Sequence, residues 1–163
     1  MRAVDVSNAS LGLPNGTQTA HGRRVEFLDA LAILMGCEGT LNGELPDGRR
    51  PDVLRYDMGR RIIFIGDAKH WETPGNRETQ ARLQHYFKWL RSHIEGGGRG
   101  VFAVCFGRGS DTSAWTETIR MLGREVGLDY ARRGVERFEP GLTVAWSEFG
   151  SSAVGNSYLA SIS

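Results

Sequence analysis

The segment RRIIFIGDAKHW, residues 60–71, constrains this chain more than any other part of it. Its heart, Ile62-Ile63-Phe64-Ile65, is apolar at four consecutive positions. Strand side chains alternate between faces, so such a run must be covered on both sides. A central strand with a layer packed against each face satisfies that demand, and a half-wet edge strand does not. The polarity then changes abruptly. In Gly66-Asp67-Ala68-Lys69, alternation puts Asp67 and Lys69 on one face and Ala68 on the other, with Ile62 and Phe64 on the face of Ala68. The sequence reading expects the Asp67/Lys69 face to be open at this strand end.

Around that strand the 163 residues fit one domain. Residues 1–19 are polar and punctuated by Gly, Pro and Asn, a loose lead-in, and residues 150–163 form a small-residue tail. Within residues 21–35, Val25, Leu28, Leu31, Ala32 and Met35 recur at helical spacing, and Gly36 follows where a helix stops. Residues 42–50, NGELPDGRR, are turn chemistry. Residues 51–56 and 60–71 read as two strands joined at Asp57-Met58-Gly59. A helix over 78–94 carries the stripe Leu83, Phe87, Leu90 and Ile94, and Gly96-Gly97-Gly98 ends it. A strand over 101–106, a helix over 113–128 and a strand over 142–149 complete the order. The expected fold class is α/β, a mixed central sheet flanked by helices.

Composition removes several classes of function. At 40% hydrophobic and 24% charged the chain is globular and not intrinsically disordered. No apolar run approaches the roughly 20 residues that span a bilayer, so no membrane partner is expected. The first residues lack the basic and apolar regions of a signal peptide. Cys37 and Cys105 make neither a disulfide framework nor a zinc site, and His21, His85 and His93 show no ligand spacing with them. The expected setting is therefore cytoplasmic. Gly107-Arg108-Gly109-Ser110 contains no full phosphate-binding fingerprint and reads as a connecting loop. Ser and Cys hydrolase motifs are absent. The net charge of +1 conceals an asymmetry, because residues 49–100 hold eleven basic and six acidic side chains, a local +5. A polyanion suits such a block. Arg49, Arg50, Arg60, Arg61 and Arg77 are the candidates within it for phosphate contact.

The residues that carry chemistry fall in the same block. Pro51-Asp52 opens the first strand of the hairpin and Asp67-Ala68-Lys69 closes the second. If the strands pair, Asp52 comes beside Asp67 at one sheet end. Two close carboxylates repel unless a divalent cation lies between them, so the pair is a hard-oxygen site for magnesium. Such an ion polarises a phosphodiester and lowers the pKa of bound water. Lys69 could orient that water and offset charge growing on phosphorus. An exposed Asp-x-Lys pair with no function is the alternative, and it is worth little energetically. Only two lysines occur among twenty basic residues, so composition gives about 0.2 acid-x-Lys triplets by chance.

Pro51-Asp52, fourteen residues, then Asp67-Ala68-Lys69 resembles the signature of the PD-(D/E)xK nuclease superfamily. The element order over residues 20–150 also resembles its restriction-endonuclease-like αβββαβ core. Gly22-Arg23-Arg24-Val25-Glu26 is similar to the Gly-x-x-x-Glu of the Holliday-junction-resolvase branch. The resemblance implies a Mg2+-dependent nuclease acting on DNA, an endonuclease of resolvase, restriction or repair type, with Mn2+ able to substitute. It implies metal ligation by Glu26, Asp52, Asp67 and the Ala68 carbonyl, with Lys69 catalytic. Glu26 lies on the flank of its helix beside Asp29, which remains the substitute. Many members also place a Gln and a Tyr on the helix after the motif. Here Arg82 stands four residues before Tyr86, and Gln84 is the approximate match. A chain of this size lacks a separate specificity domain, so a homodimer or a partner subunit is expected for double-strand cuts. Two other readings stay open: a non-catalytic DNA-binding or assembly module on the same fold, and a small-ligand α/β domain.

Overall fold

The computed structural model describes residues 19–40, 50–69, 74–107, 109–128 and 130–150. The lead-in and tail fall almost wholly outside this set, as do Arg49, His70 and Arg108. The described elements are α1 (Ala20–Leu34), β1 (Gly39–Thr40), β2 (Val53–Asp57), β3 (Ile62–Lys69), α2 (Arg77–Glu95), β4 (Arg99–Phe106), α3 (Thr112–Glu125), β5 (Tyr130–Glu139) and β6 (Leu142–Phe149). They build one six-stranded mixed sheet in the order β1-β2-β3-β4-β6-β5. β3 pairs antiparallel with β2 and parallel with β4, the α2 crossover making the parallel step possible. The fold is mixed α/β.

All eight residues of β3 are buried, as its apolar run demands. The sheet divides the core in two. Ile62, Phe64 and Ala68 pack with Phe27, Leu28, Leu31 and Ala32 of α1 on one face. Ile63 and Ile65 pack with Leu83, Phe87 and Leu90 of α2 and Trp115 and Ile119 of α3 on the other. Gly66 lets α1 approach, since a β-carbon there would stand 3.1 Å from Val53 Cβ and 3.4 Å from Leu28 Cβ. Each helix start is capped by a side chain that accepts from orphan amides: Thr19 from Gly22, Asn76 from Glu78 and Thr79, Asp111 from Ala114. Gly36, at φ +93, takes the left-handed turn that closes α1. Between α1 and β2, Asp29 holds Arg55 through two bonds of 2.6 and 2.9 Å.

Two strands were not expected. β1 is only two residues long, too short to leave a period in the sequence. β5 reads YARRGVERFE, with Arg132, Arg133 and Arg137 exposed. It lies at the sheet edge, where charged side chains discourage pairing with other chains and also hide the strand's alternation.

Candidate active site

The hairpin register builds the site. Val53 lies opposite Gly66, and one further step along the antiparallel pair sets Asp52 against Asp67. Beyond the last paired residue, the Asp52 Oδ2 accepts a hydrogen bond of 2.9 Å from the Ala68 amide. A strand residue points its N–H and C=O the same way, so the Ala68 carbonyl also faces this side. Asp67 and Lys69 continue the Ile63/Ile65 face, and Lys69 Nζ stands 2.6 Å from Asp67 Oδ2. His21, in the first turn of α1, reaches within 4.0 Å of Asp52 Oδ1.

The face bearing Asp67 and Lys69 is not open as the sequence suggested. The Asp67 side chain is 1% exposed and that of Lys69 6%, whereas Asp52 is 30% exposed. The cause is the central position of β3, whose Ile63/Ile65 face packs against α2 and α3. Asp52 is thus the solvent-facing member and Asp67 the buried one. Burial pushes the Asp67 carboxyl up to about 7, and the facing Asp52 carboxylate pushes it the same way against the pull of the Lys69 ammonium. Without a cation, the Asp67 carboxyl therefore keeps its proton well above the usual carboxylate range. Asp67 Oδ2 has the ammonium at close range but no well-directed hydrogen bond. A buried carboxylate oxygen without such a bond, a half-open carboxylate beside it and a backbone carbonyl form a hard-oxygen donor set. It suits a small divalent cation that keeps waters in its remaining positions.

The other expected residues are distributed as follows. Glu26 is half-buried on the flank of α1 and pairs with no described group. Among the described residues no three His, Cys, Asp or Glu side chains gather tightly enough to grip an ion. Asp29 is engaged by Arg55. Gln84 donates at 2.8 Å to Glu125 of α3, and Gln80, one turn nearer the site, donates at 2.9 Å to the Pro74 carbonyl. Arg50 precedes Asp52, and Arg77 opens α2 at the same sheet end; both are exposed. Arg60 and Arg61 immediately precede β3, whose first residue, Ile62, lies about 23 Å from Lys69 at 3.3 Å per residue. Arg60 pairs with Asp57, and Arg61 donates at 2.9 Å to the Gly96 carbonyl.

Two groups near the site escaped the sequence reading. His21 has no ligand spacing, and only the packing of α1 on the hairpin brings it to Asp52. Arg24, one turn on, is 6% exposed, and its Nε has no hydrogen-bond partner. Its Nη1 would lie 3.3 Å from a β-carbon at Gly107, placing a buried guanidinium behind the end of β4. An arginine in a helix otherwise striped with Val and Leu was the available signal. Comparison with family models, with curated proteins and with solved structures finds no match to this chain.

Proposed function

We propose that the chain is a divalent-metal-dependent nuclease of the PD-(D/E)xK type that hydrolyses phosphodiester bonds of DNA, most simply as an endonuclease. The observation carrying this reading is the juxtaposition at one strand end of Asp52, docked on the Ala68 amide, with Asp67 and its 2.6 Å partner Lys69. Asp52, Asp67 and the Ala68 carbonyl would hold Mg2+ or Mn2+, which supplies Lewis acidity toward the phosphate and an acidified water. The protein residues do the positioning. The Ala68 amide fixes one oxygen of the Asp52 carboxylate, and the other lies on the half-open side of the site within 4.0 Å of His21. Lys69, already desolvated and 2.6 Å from Asp67, stands beside the place where phosphoryl charge would grow, and low local polarity strengthens its effect. Arg50 and Arg77 are positioned to contact flanking phosphates, which orient a strand without reading its sequence.

The test is cleavage of branched, linear, circular and single-stranded DNA, and of RNA, with Mg2+, Mn2+, Ca2+ or chelator. Cleavage with Mg2+ or Mn2+, and its loss in Ca2+ and chelator, supports the proposal; cutting in excess chelator overturns it. A second reading draws on the burial of Asp67 and Lys69. A fully desolvated pair can serve the fold alone, in a nucleic-acid-binding or assembly module without catalysis. That reading expects nucleic-acid binding with no thermal stabilisation by Mg2+.

A further inference from the structure

The sheet end that carries Lys69 continues into a cavity. Lys69 is the register partner of Phe106, Phe106 of Thr143, and Thr143 of Arg137. These four residues form one row across β3, β4, β6 and β5, on the face covered by α3. At about 4.8 Å per strand the row is about 14 Å long. Its far half borders a cavity of about 620 Å³ lined chiefly by Phe106, Gly107, Ser110, Thr112, Arg137 and Thr143.

The lining has a consistent chemistry. Ser110, Thr112, Thr143, Arg137 and three glycines line the space, and no described Asp or Glu takes part. Arg137 is exposed and pairs with no described group, while the nearby Glu139 is occupied by Arg23 of α1. Behind Gly107 stands the buried Arg24 guanidinium, which has no described anionic partner. A buried charge without a partner is costly, and an anion bound nearby lowers that cost. The start of α3 adds partial positive charge, offset in part by the Asp111 cap. Phe106, Val135 and Pro140 give the cavity an apolar side. Hydroxyl and cationic donors on one side and apolar surface on the other match a sugar–phosphate chain.

We propose that this cavity holds the backbone of the nucleic-acid strand to one side of the bond presented at Asp52 and Asp67, with Arg137 as a phosphate ligand. The inference rests on the nuclease reading for its substrate class. The 14 Å between Lys69 and Arg137 equals about four base-pair rises of 3.4 Å along a duplex axis. None of Arg137, Gly107, Ser110 and Thr112 belongs to the basic block of residues 49–100, so the proposal extends the contact surface to the opposite half of the sheet.

The experiment is fluorescence anisotropy with labelled single-stranded and duplex DNA in Ca2+, for the wild type, Arg137→Glu and Arg137→Lys. Thermal melts verify that the exposed substitutions leave the fold intact, and cleavage in Mg2+ and Mn2+ is measured in parallel. Arg137→Glu should weaken binding about tenfold and flatten the log–log salt slope by about 1, and Arg137→Lys should stay near wild type. Equal binding and an equal slope for Arg137→Glu would overturn the cavity proposal, while wild-type cleavage would leave the nuclease reading standing. Arg137-dependent binding without cleavage under Mg2+ or Mn2+ would do the reverse. No binding to either nucleic acid by the wild type would overturn both.

Discussion

Asp67 is the most buried carboxylate among the described residues, and its protonation links the site to stability. An ordinary aspartate titrates near 3.9, whereas burial and the facing Asp52 push Asp67 up to about 7. Between about pH 4 and 7 the folded, metal-free protein keeps a proton that the unfolded chain releases. Stability from this group is therefore fully present below about pH 4 and is lost as pH rises through 7, by on the order of a few kcal/mol. Denaturant melts in chelator across that range should show the decline, and Asp67→Asn should flatten it. An unchanged slope in Asp67→Asn would show that another group titrates. A cation binding at Asp67 would have to displace this proton, so Mg2+ affinity should rise from pH 6 to 8.

Between elements, α1 and the β2–β3 hairpin decide whether the site is assembled. Asp29 and Arg55 tie the two with a bidentate, partly buried pair, so Asp29→Asn should cost about 1–2 kcal/mol and lower Tm by about 2–8 °C. Glu26 has no such structural partner, so Glu26→Gln should leave Tm unchanged. If it completes the metal shell, its Mg2+ titration of cleavage should shift to higher concentration. A normal titration would leave Asp52 and Asp67 as the only side-chain ligands. Much of this assembly was readable in the sequence. The apolar run of β3 and the Asp67/Lys69 alternation follow from side-chain period, and the hairpin from the turn residues Asp57-Met58-Gly59 between two strands. The destination of Gln84 was not, because helix spacing shows which flank it shares but not that Glu125 of α3 waits there. Nor was the burial of Lys69, since alternation gives a face and only the packing of α2 and α3 says whether that face is covered. The edge strand β5 escaped because its solvent-facing arginines replace the apolar alternation that marks a strand.

Across the whole molecule, the positive block of residues 49–100 divides between the two ends of the sheet. Arg50 and Arg77 lie at the Lys69 end, and Arg60 and Arg61 serve turns at the other. Net charge along a sequence does not report this division; the direction of β3 does. Among the described residues no helix is long and apolar enough to cross a membrane. A cation bound only by the folded state should stabilise the protein as a whole. At about a hundredfold excess over Kd, the gain is about 2.7 kcal/mol, or roughly 5–10 °C in Tm for a chain of this length. Calorimetry with Mg2+, Mn2+ and Ca2+ should show this gain in the wild type and its loss in Asp67→Asn.

The most direct test is the single-turnover cleavage rate of a DNA substrate cut by the wild type, compared with Asp67→Asn and Lys69→Ala at saturating Mn2+. With both variants folded, a loss of at least about a thousandfold in each, the scale on which electrostatic catalysis operates, is expected. Near-wild-type turnover in either variant would contradict the assignment of this strand end as the catalytic site.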